Sequence, residues 1–190
     1  EGQLTTLVNF DGTNGRNPWA GLRLGQDGCL YGCTPRGGTN SGFDAGILFK
    51  VTTNGGFTVL HNFVGAQPWS SLAIGPDNAI YGGAIMDVYT GMLFKFSSGQ
   101  LTPLASFGIP DGTVPESVSV LSDGRIFGTT DFTIFKFRGN GVFKTLETLN
   151  RDVGEHSGPL TLGPDGSFYG MTIDLNGWEN WRIFKLSPNG

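Results

Sequence analysis

I-L-F-K at residues 47–50 returns as M-L-F-K at 92–95, T-I-F-K at 133–136 and R-I-F-K at 182–185. About twenty residues before each copy lies a second cassette, an acid-centred turn running into an aromatic–Gly pair. Its copies are D-G-C-L-Y-G (27–32), D-N-A-I-Y-G (77–82), D-G-R-I-F-G (123–128) and D-G-S-F-Y-G (165–170). A recurring pair of cassettes marks a repeat architecture, in which each unit buries its apolar face only against its neighbours.

Two further segments recur in step. L-T-T-L-V-N-F at 4–10 matches 57–63, 101–107 and 143–149, and a short strand around Leu22 and Leu24 matches Leu72/Ile74, Val118/Val120 and Leu160/Leu162. The Asp-Gly and Asn-Gly steps suit two-residue hairpins, whose central residues take positive φ. With 32 Gly and 10 Pro, few runs remain long enough for a helix. The longest, 142–153, has a helical spacing of Leu146, Leu149 and Val153, but the repeat register assigns its first half to a strand.

Each unit is then four antiparallel strands in 41–50 residues, the size of one propeller blade. The expected fold is an all-β β-propeller forming one domain over 1–190, with four blades of four antiparallel strands. The blades fall near 20–63, 70–107, 117–149 and 159–190, the last completed by 4–10. Because the chain starts with an outermost strand and ends with a third strand, the N-terminal strand is expected to pair with the last blade and close the ring. The alternative is an eight-bladed ring from two chains that donate strands to each other, which also removes the open edge.

The combination L-F-K, T-x-x-N-G, L-T-T-L-x-x-F, N-P-x-A-G-L and D-G-x-L-Y-G-x-T resembles the GloVer tandem repeat, a family of extracellular bacterial proteins often joined to surface-anchoring segments. The likeness covers essentially the whole chain and is best in the first two repeats. The third lacks the long loop before F-K, and the fourth has H-S-G-P-L at 156–160 in place of P-x-A-G-L. The resemblance implies a propeller and an extracellular, cell-surface or periplasmic location, and no catalytic residues. More distantly, S-L-A-I-G-P-D-N-A-I-Y (71–81) is similar to NHL-type and streptogramin-lyase-type blades.

Composition narrows the function. A formal charge of −4 and a pI near 5.0 argue against a nucleic-acid partner, which needs clustered Lys and Arg. No apolar run approaches a membrane span, and no signal peptide is visible. Glu1 enters directly into repeat sequence, so the chain reads as a mature or trimmed product. Cys29 and Cys33, four residues apart on one strand, lie ~13 Å apart, too far for a mutual disulfide. They are expected as packed free thiols.

In this strand order the tight turns share one end of the ring and the long, dissimilar loops share the other, where binding residues usually sit. Ten of the 16 acidic residues fall in those loops against Arg16, Arg36 and Arg151, giving 3 − 10 = −7. All four tryptophans are there too, with Phe43 and Tyr89. Candidate ligand-binding residues are therefore Trp19, Trp69, Trp178, Trp181, Tyr89, Asp87, Asp111, Asp131, Asp174, Glu179 and Arg36, with inter-blade packing the competing role for Trp19 and Trp69. The repeated lysines Lys50, Lys95, Lys136 and Lys185 are expected to snorkel over blade surface.

From these features the expected function is a non-enzymatic, secreted or surface-associated binding propeller whose loop end takes a glycan or a protein partner. One alternative is a structural subunit of a larger assembly. Another is a lyase or hydrolase with His156 as general base among loop carboxylates, although G-x-S-x-G, H-E-x-x-H and phosphate-loop motifs are absent. No cofactor is expected. The one calcium candidate is D-G-T-N-G-R-N (11–17), through Asp11 and Asn14, without the bidentate Glu of an EF-hand.

Overall fold

The computed structural model describes residues 2–39, 45–109, 111–139, 141–148, 155–156, 159–173 and 182–187. They form strands β1 (Arg23–Leu24), β2 (Leu30–Thr34), β3 (Ile47–Val51), β4 (Phe57–Asn62), β5 (Gln67–Pro68), β6 (Ala73–Ile74), β7 (Ile80–Asp87), β8 (Thr90–Ser97) and β9 (Gln100–Gly108). There follow β10 (Pro115–Val120), β11 (Ile126–Thr130), β12 (Thr133–Arg138), β13 (Val142–Thr148), β14 (Glu155–His156), β15 (Thr161–Leu162), β16 (Phe168–Ile173) and β17 (Arg182–Leu186). The described residues contain no helix.

Four antiparallel sheets result, in the order β1-β2-β3-β4, then β5 and β6 on β7 with β8 and β9, then β10-β11-β12-β13, then β14 and β15 on β16 with β17. The two repeated cassettes are cross-strand partners. Gly32 pairs with Phe49, Gly82 with Phe94, Gly128 with Phe135 and Gly170 with Phe184. In each pair the phenyl ring lies over the glycine, and a Cβ there would stand 2.5, 2.6, 2.3 or 2.4 Å from the ring's Cζ. The Tyr-Gly and Leu-Phe pairs therefore recur together because each ring needs a bare backbone beneath it.

The turn before each glycine strand is built alike. Gly28, Gly124 and Gly166 have φ of 75–80°, and Asn78 takes the same place at 59°. The aspartate three residues before the strand accepts from the next amide but one, that of Cys29, Ala79, Arg125 or Ser167. Its other oxygen accepts from the tyrosine hydroxyl: Tyr31 to Asp27 at 2.8 Å, Tyr81 to Asp77 at 3.1 Å and Tyr169 to Asp165 at 2.9 Å.

The lysines join this network as well as lying along the sheets. Lys95 reaches Asp77 at 2.7 Å, Lys185 reaches Asp165 at 2.8 Å, and Lys50 stands 3.9 Å from Asp27. In the third sheet Phe127 has no hydroxyl, Arg125 takes Asp123 at 2.6 Å, and Lys136 lies 5.3 Å over the Phe127 ring.

These contacts set an acid dependence. Tyr31 lowers the Asp27 carboxyl, and the Lys185 ammonium lowers that of Asp165. For Asp77 burial pushes upward, but the Lys95 ammonium, the Ala79 amide and Tyr81 hold it below its ordinary value. Groups depressed in the folded state stabilise it above their unfolded pKa, about 3.9 for Asp, and lose that contribution as pH falls through the folded values. Melting temperature is thus expected to hold from pH 7 to about 5 and to fall below about 4. The triple variant Asp27→Asn, Asp77→Asn, Asp165→Asn should melt lower at pH 7 and show a shallower acid limb. An acid limb as steep as the parent's would contradict this assignment.

The core lies between sheets. Cys33 and Leu48 of the first pack with Leu72, Ala84 and Phe94 of the second. Leu93 packs with Val118 and Phe135, and Ile134 with Leu160 and Phe168. Cys29 and Cys33 are both free thiols. Cys33 faces the Pro68 and Ser70 carbonyls at 3.5 and 3.6 Å, and burial pushes its thiol up to about 12.

The expected closure of the ring is not found. The described residues show no closed sheet: 4–10 forms no strand, and β17 pairs only with β16 among them. Val8 and Phe10 lie instead against Phe49 and Phe57 of the first sheet. Phe10 repeats beside Phe49 the packing of Phe63 on Phe94 and of Phe107 on Phe135, at 5.4, 5.4 and 5.6 Å, in which the end of one unit's outer strand meets the next unit's third strand. That side-chain contact forms here without a backbone ladder between 4–10 and β17, so it holds the segment on the first sheet and does not close the ring.

Candidate functional site: the loop end of the sheets

The turns after β1, β6, β10 and β15 lie at one end of the sheets, and the connections 11–19, 64–66, 85–90, 111–114 and 130–133 at the other. In the first of these connections Asp11 Oδ1 accepts from the Thr13 amide at 2.8 Å, the Thr13 hydroxyl at 2.7 Å and the Asn14 amide at 3.2 Å. Asn14 Oδ1 accepts from the Asp11 amide at 2.9 Å, and its Nδ2 donates to Asn9. Those oxygens are spent inside the loop. They do not fit a calcium ion, which needs six to eight converging oxygen ligands. Among the described residues no group of three or more His, Cys, Asp or Glu could hold a metal.

Next to this loop the Arg16 amide donates to the Arg36 carbonyl at 2.7 Å, bringing Arg16 and Arg36 side by side at the exposed surface. Trp19 and Trp69 meet at a ring separation of 5.9 Å, and the Trp69 indole donates to Gln67 Oε1 at 2.9 Å. Trp69 is half-buried and Trp19 exposed, so their packing leaves an indole face open to solvent.

At this end a cleft of about 550 Å³ lies between the second and third sheets. Gln67, Ile85, Met86, Asp87, Val88, Thr113 and Val114 line it. One wall is the β7–β8 hairpin, where Asp87 accepts from the Tyr89 amide at 2.7 Å, a bond that also lowers its carboxyl. The other wall is fixed by Asp131, which accepts from the Thr113 amide at 2.7 Å, the Thr113 hydroxyl at 3.1 Å and the Val114 amide at 3.1 Å.

Asp111 sits behind that wall. Its carboxylate accepts from the Thr145 hydroxyl at 3.0 Å and its carbonyl from the Thr133 and Thr130 hydroxyls at 2.6 and 3.2 Å. Of the candidate carboxylates, then, Asp87 lines the cleft, Asp131 positions its wall, and Asp111 is tied to β12 and β13. Asp174, Trp178, Glu179 and Trp181 lie outside the described residues, as do Phe43, Asp44 and Asp152.

His156 is placed by strand register. On β14 it pairs with Thr172, as Pro68 pairs with Ala84 in the second sheet, and Glu155 pairs with Ile173 as the cleft residue Gln67 pairs with Ile85. Thr172 Oγ1 is buried and has no hydrogen-bond partner among the described residues. His61, the other histidine, packs against Phe63 at 4.9 Å, and burial disfavours its protonation. The sequence reading missed Gln67, Ile85, Met86, Val88, Thr113 and Val114. The usable signal was an apolar run interrupted by a single acid, I-M-D-V-Y at 85–89, at the tip of a solvent-facing hairpin.

The fold is that of the β-propellers. Solved structures similar to this chain include a gluconolactonase from Xanthomonas campestris at 15% identity and TM-score 0.57, covering 86% of this chain and 56% of that one. A catalytically inactive histidine-to-alanine variant of virginiamycin B lyase from Staphylococcus aureus, solved with quinupristin, is similar at 14% identity and TM-score 0.58, covering 89% and 55%. The calcium-binding protein regucalcin from Agrobacterium tumefaciens is similar at 16% and TM-score 0.58, covering 87% and 59%. The chain thus spans little more than half the length of each. No family model and no curated protein matches it.

These neighbours bear out the distant likeness to streptogramin-lyase blades, while the GloVer family itself is not shown. They also correct the expected function. The propellers that this chain is similar to include enzymes and a calcium-binding protein, and these give no support to a non-enzymatic glycan- or partner-binding role. Among the described residues no helix is long and apolar enough to cross a membrane.

Proposed function

We propose that the chain carries the site of a hydrolase or lyase at the loop end of its sheets, with His156 as general base and the cleft of Asp87, Gln67 and Thr113 as the substrate-binding wall. The cleft is the observation that carries this reading. A recess of about 550 Å³ lined by Ile85, Met86, Val88 and Val114 with a few polar groups has the size and make-up of a small-molecule site. Two analogies support it: a lactonase and a lyase share the fold, and the lyase is inactive when a histidine is replaced by alanine.

Imidazole titrates near pH 6.5 and can take a proton from water, for hydrolysis, or from a carbon beside a carbonyl, for elimination. Four successive blades and an extracellular or cell-surface location belong to the same reading, supported by the repeat and its GloVer resemblance.

D-glucono-δ-lactone and quinupristin are the substrates to test. Turnover of either is expected. His156→Ala should lower kcat by about 10²–10⁴, and Asp87→Asn should act mainly on KM. Absence of turnover on both substrates, or full kcat in His156→Ala, would overturn the proposal.

A further inference from the structure

The third sheet carries a charge arrangement that its neighbours lack. In the first, second and fourth sheets the F-K lysine turns to the hairpin aspartate (Asp27, Asp77 or Asp165), which also accepts from a tyrosine hydroxyl. Phe127 takes the tyrosine's place in the third sheet, and Asp123 bonds Arg125. Three cations occupy positions that are neutral elsewhere. Arg125 stands where the other sheets have Cys29, Ala79 and Ser167, and Arg138 where they have Thr52, Ser97 and Ser187. Lys144 pairs with Lys136, whereas Thr58 pairs with Lys50 and Thr102 with Lys95.

Strand register puts these cations on one face of the sheet. Phe127 pairs with Lys136 and Lys136 with Lys144, while Arg125 and Arg138 each lie two residues along from a member of that row. Arg125 and Lys136 both lie over the Phe127 ring, at 5.9 and 5.3 Å. Like charges directly opposite one another destabilise a sheet. Burial, then the Arg125, Arg138 and Lys144 charges, push the Lys136 ammonium below its ordinary value against the pull of Asp123. The sheet's acids Glu116, Asp131 and Glu147 lie toward the loop end, and Asp111 reaches Thr145, which points to the face opposite Lys144. Arg138 and Lys144 are exposed and make no ion pair among the described residues. Beside them a recess of about 450 Å³ is lined by Asp123, Gly124, Arg125, Arg138 and Gly139, and a Cβ on either glycine would meet nothing within 4 Å.

We infer that this recess and the cationic face beside it form an anion site for a ligand bearing two or more linked phosphate groups. Arg125 and Arg138 fit that chemistry, because a guanidinium takes phosphate oxygens in pairs. The cations span three neighbouring strands, each about 4.8 Å from the next, a reach that a linked set of phosphates covers and a single one does not. Nucleic acid fits less well. The chain is −4 overall, and the Phe127 ring beneath the patch is fully buried, so it offers a base no stacking surface. The site lies at the turn end, away from the cleft, and is independent of the enzymatic reading.

Its test uses no activity. Isothermal titration with sodium tripolyphosphate at low ionic strength should show saturable one-to-one binding that weakens as salt rises. Orthophosphate should bind about tenfold more weakly or worse. Arg138→Gln and Lys144→Thr should each weaken tripolyphosphate binding about tenfold, while Lys50→Gln on the first sheet should leave it unchanged. Lys144→Thr restores the Lys–Thr pair of the first two sheets, so without ligand it should melt no lower than the parent, which separates loss of the site from loss of the fold. Tripolyphosphate should raise the melting temperature of the parent and leave that of the double variant Arg138→Gln, Lys144→Thr unmoved. Lack of saturable binding at millimolar tripolyphosphate, equal affinity for orthophosphate, or unchanged affinity in both variants would each overturn the inference. Tighter binding of a single-stranded DNA oligonucleotide than of tripolyphosphate would also overturn it, and would make nucleic acid the occupant.

Discussion

Phe94→Ala is expected to remove about 3–5 kcal/mol of folding stability, a large share of the 5–15 kcal/mol that holds a typical domain together. Phe94 is fully buried. Its ring covers Gly82 across β7 and β8, takes the edge of Phe63 at 5.4 Å, and fills the core shared by the first two sheets with Leu48 and Leu72. Truncation would open a cavity over a glycine, where no neighbouring side chain can swing in from below. In urea the midpoint should drop with little change in slope, because the same surface is exposed on unfolding. Val64→Ala, at an exposed position one residue beyond the core residue Phe63, is the control and should leave the midpoint unchanged. A loss under about 1 kcal/mol for Phe94→Ala would mean that the ring is not the packing centre described.

Gly128→Ala is expected to cost about 3 kcal/mol, at the upper end of the usual range for overpacking. A Cβ at 128 would stand 2.3 Å from Phe135 Cζ and 2.4 Å from the backbone oxygen of Ser117. At Gly82 the corresponding neighbours are Phe94 and Leu72, both side chains. Those can turn aside, whereas the Ser117 carbonyl is fixed in the β10–β11 ladder. Gly82→Ala should therefore cost clearly less than Gly128→Ala, and Phe135→Leu should recover only part of the Gly128→Ala loss. Chemical denaturation of the three variants and the double variant gives the coupling directly. Equal losses at 82 and 128 would remove the role assigned to Ser117.

Much of the architecture was legible because it repeats. Asp-Gly and Asn-Gly steps announced hairpins, and the structure has Gly28, Gly124 and Gly166 at positive φ where they occur, with Asn78 in the fourth such place. The third-strand position of I-L-F-K was legible for the same reason. What periodicity could not supply was the identity of contacts between strands. Lys95 was read as covering surface, but it bonds Asp77, eighteen residues earlier in the chain, through a register no single strand reveals. Closure failed for a related reason: a matching sequence at 4–10 shows what kind of strand it is, not which sheet it joins.

The site was less legible, because a cleft wall depends on which side chain turns to which amide. Asp131 looked like one loop carboxylate among ten. Its bonds to Thr113 and Val114 make it the brace of the cleft, and nothing in D-F-T announces that. His156 was expected in a loop, and the sequence carried no sign of β14, on which Glu155 and His156 occupy the places of Gln67 and Pro68 on β5.

The glycine–phenylalanine pairing has an evolutionary consequence. Each unit carries its own ring and its own bare backbone, so the contact that organises a sheet is inherited whole whenever the unit is duplicated. Only two kinds of surface are then needed, one on each side of every unit, and both are present in all four copies. A gene encoding such a chain can gain or lose a unit by unequal recombination between any two equivalent turns without leaving a misfit seam. The hairpin between the glycine strand and the F-K strand lies outside this inheritance. Its tip is Val88 and Tyr89 in the second unit and Asp131 and Phe132 in the third, on strands of eight and eight residues in the one and five and six in the other, and it is free to diverge while the scaffold is copied unchanged.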